Sequence, residues 1–511
     1  MKMINKKFSS VLLLTGMVIL SSCYKDESTL ALTELNKVGL SDPKTLATID
    51  VYQGQELNLK PTLSQSMNDK IDQLTFEWSV YDNSSTSSYV VPEAIISTEY
   101  ELKYLVNGDP FTLGQRYLLR LTVTDKTTGL SSFLNYTILI ANKYGTGWLV
   151  LEDKAGKGDL SFVFTDNSVE HGIYSDRNTA PLTGPKKLEL TPFAITDDIS
   201  ASGKRLYILA ENGSQEYNYL TMVKKFDYSF LFFSAPSVIK PQVMTWTSAA
   251  ANSANRYGGL GVAINNGKLH SNLVGGFPGI KKWGDIAFNA EGNTNYELAP
   301  FVTGGNSYPA IVYDNLSKRF FSVRGYSPTP IAGSLETFPS AASTEFDMNN
   351  VGMTMIFQDS ADVVKDFNAV MKSDDNQAYL LRYKTDKTDA APRITISKKL
   401  MNAPGILNYT AASGSTSTPH LYYGNGNTVS SYETSSNTVV ETYVFPAGEE
   451  VTSVKYAKYT YGSTSARLLV GTWNGTEGKL YYFTLSTSGG MGNYTNVFSG
   501  FGKIVDLAYK Y

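Results

Sequence analysis

The chain has 511 residues, a net charge of −3 and 18% charged residues. Without a basic excess, the composition argues against nucleic-acid binding, which normally shows one. The length admits about two or three domains, or fewer if one is a large all-β fold. Cys23 is the single cysteine, so no disulfide can form within the chain, and a core of this size needs none. Aromatic residues make up 12%, with 34 tyrosines, a composition suited to half-buried strands.

The first residues have the parts of an export signal. Lys2, Lys6 and Lys7 form a positive region, and Val11 to Leu20 is apolar apart from Thr15 and Gly16. The run falls short of the roughly 20 apolar residues of a membrane span and reads as a segment that is removed, residues 1–22. Leu20-Ser21-Ser22-Cys23 resembles the lipobox of bacterial lipoproteins. The resemblance implies a thioether to diacylglycerol on the Cys23 sulfur and cleavage just before it. Each buried methylene contributes about 0.8 kcal/mol, so two or more acyl chains hold firmly where one does not. Lys25, Asp26 and Glu27 follow and look like the surface-export signal of lipoproteins from Bacteroidota. That would place the body on the outer membrane, facing the cell exterior. Read from charge alone, residues 23–40 are a solvated tether and the first residues of the next domain.

Residues 41–143 read as one β-domain. Thr48 to Tyr52 alternates in polarity, Gly54-Gln55 turns the chain, and Leu57-Asn58-Leu59 alternates again. Leu74, Phe76, Trp78 and Val80 share one face of a period-two strand. Tyr117 to Asp125 is another, and Ser132 to Ile140 returns after the turn at Lys126 to Gly129. Several short strands around a buried Trp fit a two-sheet sandwich. Phe76-Glu77-Trp78, the Tyr117–Asp125 strand and the Gly129 turn resemble the PKD-like domains. With the lipobox and the early Leu57-x-Leu59-x-Pro61 segment, residues 1 to about 143 are similar to PKD-like family lipoproteins of Bacteroidota. The long serine-rich loop from Asp82 to Val91 departs from that pattern. The resemblance implies a spacer or binding module, and accessory membership of a nutrient-uptake system built around a TonB-dependent transporter.

From about residue 144 a strand hairpin recurs at roughly 50-residue intervals, about seven times, which means a propeller. The hairpins begin at Trp148, Leu206, Gly261, Ala310, Ala369, Leu421 and Leu468. Ile504 to Tyr511 is an amphipathic strand similar in form to Val451–Tyr456, and the first unit has no such strand before it. Residues 504–511 are therefore expected to form the innermost strand of the first blade, closing a ring over 144–511 and removing an exposed edge. The whole is expected to be all-β: a small PKD/Ig-like sandwich followed by a roughly seven-bladed β-propeller.

Chemistry-bearing motifs are few. Glu152-Asp153, Asn265-Asn266, Asp314-Asn315 and Asp374-Asp375 fall at corresponding places in successive hairpins, where tight turns need such residues. His171, His270 and His420 are solitary in sequence, whereas a zinc site wants three or four ligands. No nucleophile elbow, phosphate loop or EF-hand loop is present. Neither metal nor cofactor is expected, and no catalytic residue is assigned. Paired carboxylates for glycoside chemistry carry no local spacing and stay open. Trp246, Trp283 and Trp473 stand in irregular segments or beside a turn. Each offers a face for stacking a sugar or clasping a peptide, or else packs between blades. The expected function is non-catalytic recognition of a glycan, a peptide or a protein partner, such as an outer-membrane transporter complex. The alternative is a surface polysaccharide hydrolase or lyase built on the propeller.

Overall fold

A computed structural model describes residues 34–67, 70–82, 94–191, 204–213, 215–247, 260–273, 282–305, 307–323, 334–342, 344–387, 393–457 and 465–510. Cys23, Lys25, Asp26 and Glu27 lie outside the described residues, as does most of the serine-rich loop. The chain divides into two compact units, Met1–Ile140 and Ala141–Tyr511.

In the first unit, Thr48–Tyr52, Ser131–Ala141, Arg116–Asp125, Leu74–Asp82 and Ala94–Ser97 form a five-stranded antiparallel sheet in that spatial order. Two smaller sheets pair Glu56–Leu59 with Leu102–Leu105, and Val38–Ser41 with Thr62–Gln65. Period-two alternation gives each strand one apolar face. Leu57, Leu59 and Leu102 from a small sheet meet Trp78, Leu119, Leu121 and Tyr136 from the large one in a single core. Trp78 is fully buried and donates its indole N–H to the Glu99 carbonyl at 2.9 Å. This satisfies the one polar group that a buried Trp carries.

The second unit contains seven small antiparallel sheets among the described residues. Every hairpin expected from the repeat is present, as the second and third strands of a blade. The second blade is representative: Pro185–Leu190, Arg205–Ala210, Gln215–Asn218 and Lys224–Phe226 pair in sequence order. The fifth, sixth and seventh blades have the same four-strand plan, starting at Thr354, Ala411 and Glu450. In the third blade three strands pair, Pro241–Thr247, Leu260–Asn265 and Lys268–Leu273. In the fourth, the first strand is reduced to two bridges, Leu298 with Asp314 and Thr303 with Ile311.

Neighbouring blades cover both faces of each sheet, so second strands read as continuous apolar runs rather than alternations. All of Arg205–Ala210, Leu260–Asn265 and Ala310–Asp314 is buried. Their side chains fill cores that each straddle two blades. Leu149 and Leu151 meet Leu188 and Leu206 between the first and second. Tyr207 and Leu209 meet Met244 and Ala263 between the second and third. The series continues around the ring until Leu469 and Leu480 of the seventh blade meet Trp148 and Val150 of the first.

Ring closure is made by Lys503–Lys510, which pairs antiparallel with Gly147–Lys154 of the first blade. The register sets Lys510 opposite Gly147 and Asp506 opposite Leu151, with an irregularity between Leu151 and Glu152. The closing strand packs beside the first strands of the second and seventh blades, as an innermost strand must.

Candidate binding face and the channel strands

The first strands are stitched to one another by side chains. Asp506 of the closing strand accepts the Leu188 N–H of the second blade at 2.9 Å. Asp359 of the fifth blade accepts the Gly414 N–H at 2.8 Å and the Ser413 hydroxyl at 3.2 Å. Ser413 in turn accepts the Tyr456 N–H of the seventh blade at 3.1 Å. Inner strands of different blades do not pair through a ladder, so these oxygens satisfy backbone groups that would otherwise be orphaned. Lys187 lies among them, its ammonium 2.7 Å from Glu189. Burial opposes the charge of Lys187, but the attraction of Glu189, with Asp506 and Asp359 behind it, outweighs burial and raises its pKa. Its side chain nonetheless stays 38% exposed. The channel is thus lined by a charge-compensated cluster whose carboxylates are engaged in holding the ring.

Glu152 departs from the turn reading. It lies inside the strand Gly147–Lys154, fully buried, and accepts the Ser161 hydroxyl at 2.6 Å and the Gly502 N–H just before the closing strand. Its hairpin neighbour Asp153 does cap the turn, accepting the Gly156 N–H at 2.6 Å. Asp314 likewise caps its own turn through the N–H groups of Leu316 and Ser317. The Ser161 oxygen is also 2.8 Å from His171 Nδ1. A serine, a histidine and a glutamate therefore meet, but with serine in the middle. Nucleophilic catalysis needs histidine between the two, so that it can take the serine proton. This arrangement anchors the closing strand instead. His270 and His420 are both buried, and burial lowers the pKa of each. No group of three or more His, Cys, Asp or Glu side chains is placed to hold a metal ion among the described residues.

Two of the three tryptophan candidates belong to a core. Trp246 is 2% exposed and Trp283 fully buried, both between the second and third blades, with ring centroids 5.5 Å apart. Trp246 directs its indole N–H at the Tyr207 hydroxyl, 3.3 Å away. The expectation that either stacks a ligand is corrected accordingly: Trp246 stands in the strand Pro241–Thr247 and Trp283 bridges to Phe232, and both rings are buried. Trp473 is half-buried at the end of its strand, opposite Glu450 and Gly478. It sits where second strands end and first strands begin, on one face of the ring.

That same face carries a concavity that was not singled out from the sequence. A groove of about 410 Å³ lies between the turn after Asp366–Lys372 and the connection from the fifth blade to the sixth. Its polar lining is Lys372, Asn376, Asn402 and Asn408, and its apolar floor includes Met401, Ile406 and Leu407. The volume falls within the roughly 300–1,000 Å³ usual for small-ligand pockets. The walls are tied down. Tyr423 donates its hydroxyl to the Pro404 carbonyl at 2.7 Å, Met401 N–H bonds the Ala378 carbonyl at 2.9 Å, and Asn402 N–H bonds the Asn437 side chain at 3.2 Å. Gly405 turns the wall at φ 82°, and a Cβ there would fall 2.3 Å from the Asn425 amide nitrogen. The available signal was the irregular run Asn402-Ala-Pro-Gly405, which breaks the repeat.

Residues 23–185 match the PKD-like family. The match extends beyond Ile140 through the first blade's strands up to Thr183, further than the stretch to about 143 that the sandwich motifs suggest. Comparison with curated proteins finds no match. Among solved structures, a quinonprotein alcohol dehydrogenase-like protein from Bacteroides thetaiotaomicron is similar at 12% identity and TM-score 0.38, covering 94% of this chain and 100% of that one. A dihydro-heme d1 dehydrogenase is similar at 7% identity and TM-score 0.38, covering 76% and 72%. The SREBP–SCAP binding domains of fission yeast are similar at 10% identity and TM-score 0.32, covering 58% and 74%. At such identities and scores the likenesses carry no argument about activity or ligand. The propeller rests on the strand pairing and inter-blade cores above, and the PKD-like match is confined to residues 23–185.

Proposed function

We propose that this chain is a lipid-anchored outer-membrane protein, displayed on the cell exterior, that binds its ligand without transforming it. It would serve as an accessory to nutrient uptake through a TonB-dependent transporter. The observation that carries the binding reading is the groove between the fifth and sixth blades, concave, polar-lined and held open by bonds to its own backbone. Anchoring is supported by Cys23 after Leu20-Ser21-Ser22, and display by Lys25, Asp26 and Glu27. A glycan or a peptide fits such a groove, and a transporter subunit is the protein partner this reading admits. A hydrolase or lyase would use carboxylates free to act on a bound chain. Asp359 and Asp506, which do approach the channel, are instead bonded to backbone N–H groups.

The test is a glycan and peptide array probed with the protein lacking its first 29 residues, beside an assay for product release from the same ligands. Binding without turnover supports the proposal, and product release overturns it in favour of the enzyme. For the anchor, Cys23→Ala should abolish palmitate incorporation and leave an uncleaved or soluble form. Normal labelling of that variant would refute lipidation at Cys23.

A further inference from the structure

The groove's lining has a property that exposure alone does not give it. Lys372, Asn376, Asn402 and Asn408 come from two separate segments, yet converge on one concavity. Each of their side chains is exposed, and none makes a hydrogen bond or ion pair with another described residue. Nearby asparagines of the sixth blade, by contrast, are engaged: Asn425 bonds Gly405, Asn427 bonds Phe445, and Asn437 bonds Leu400. Three carboxamides and one ammonium are therefore left to point their polar atoms at whatever occupies the groove.

The chemistry of these groups selects the occupant. A carboxamide offers a donor and an acceptor side by side, which matches a hydroxyl group that both donates and accepts. Three carboxamides match a ligand dense in hydroxyls. The Met401, Ile406 and Leu407 floor gives the C–H face of such a ligand an apolar bed. Among the described residues no carboxylate lines the groove, which removes the partner a cationic ligand would need. Asp374 and Asp375 stand in the turn between Lys372 and Asn376. Asp374 is paired with Lys318 at 2.5 Å, and Asp375 accepts the Ser373 hydroxyl, so neither carboxylate is turned to the groove's occupant.

We infer that the groove between the fifth and sixth blades is a binding site for a neutral oligosaccharide, held by Asn376, Asn402, Asn408 and Lys372. This rests on the binding reading above and names its ligand and its place.

The experiment is calorimetric titration with short neutral oligosaccharides (cello-, xylo-, manno- and malto-series) and with oligogalacturonate as the acidic counterpart. The variants are Asn402→Ala/Asn408→Ala, Lys372→Ala and Trp473→Ala, each checked for an unchanged unfolding temperature. The altered side chains of the groove variants have no partner among the described residues, so folding should be intact. At least one neutral series should bind. The double asparagine variant should lose about tenfold or more in affinity, the effect of two hydrogen bonds, and Trp473→Ala should bind as the parent does. Neutral binding that survives the double variant, or is lost on Trp473→Ala alone, overturns the site while leaving the binding function standing. Binding of oligogalacturonate only overturns the ligand class. Binding of peptides but no oligosaccharide on the array does the same, and binding of nothing overturns the inference while leaving the protein-partner form of the function standing.

Discussion

Lys510 gives the sharpest test of how the ring is closed. It is the last described residue of the closing strand, and its side chain is fully buried against the second blade. The ammonium donates to the Tyr219 carbonyl at 2.6 Å and lies 4.6 Å from the centre of the Tyr219 ring. Burial, with a smaller push from Lys204, lowers its pKa from 10.5 to about 7. The sign follows from linkage. Between about pH 7 and pH 10.5 the unfolded chain holds a proton on this lysine that the folded chain has released, so stability rises with pH across that window. Each unit of pKa difference is worth 1.36 kcal/mol, which makes the gain from pH 7 to pH 9 about 2 kcal/mol. For a unit of this size that is roughly 3 °C in unfolding temperature. Lys510→Met keeps the buried stem and removes the titration. The assay is thermal unfolding of parent and variant at pH 7 and pH 9, reading the difference between their two shifts, in which all other titrating groups cancel. The parent should gain roughly 3 °C more than the variant over that interval. Equal shifts in the two proteins would refute the argument that this amine is buried by ring closure.

Deleting residues 503–511 should strip the inner edge from the first blade and expose Ile504 and Leu507 partners in the seventh. At about 1.5–3 kcal/mol for each large apolar side chain unburied, several kcal/mol of stability should go, and an unchanged thermal unfolding profile would argue against closure. Asp359→Ala should cost about 1–3 kcal/mol by leaving the Gly414 N–H without its acceptor, read by denaturant unfolding against the parent. Glu216→Gln should cost about 3–5 kcal/mol, because the buried Arg205, 3.1 Å away, and Lys225, 3.3 Å away, would lose the carboxylate they share; a smaller loss in chemical denaturation would count against a buried pair. His270 and His420 have pKa values below the ordinary 6.5 because they are buried, so the stability they contribute is present above pH 6.5 and is lost as pH falls below it. Replacing both by Gln should flatten that acid limb in a pH series of unfolding temperatures.

Much of the architecture could be read from local pattern. The Trp78 strand, the Tyr117–Asp125 strand and the seven hairpins each announce themselves through polarity that alternates or runs apolar over a few residues. That information is carried by neighbours in the chain. The need for a closing strand was also legible, because the hairpin at Trp148 lacks a preceding strand and Ile504–Tyr511 has the form of the first strand Val451–Tyr456. Polarity patterns are one-dimensional properties, so one dimension suffices to find them.

Which side chain faces what was decided only in three dimensions. Trp246 and Trp283 lie in irregular sequence and look available, but the strand Pro241–Thr247 and the bridge from Trp283 to Phe232 set both rings in the core between two blades. Glu152 follows the same local pattern as the turn residues, yet it is buried, because the residue that needs its carboxylate is Gly502, far along the chain. The groove escaped notice for the same reason. Lys372 and Asn376 belong to one turn, and Asn402 and Asn408 to a connection some thirty residues later. Ring geometry alone sets the end of a second strand beside the start of the next blade. Local polarity specifies strands and turns; a concavity is made by elements distant in sequence, and no spacing along the chain encodes it.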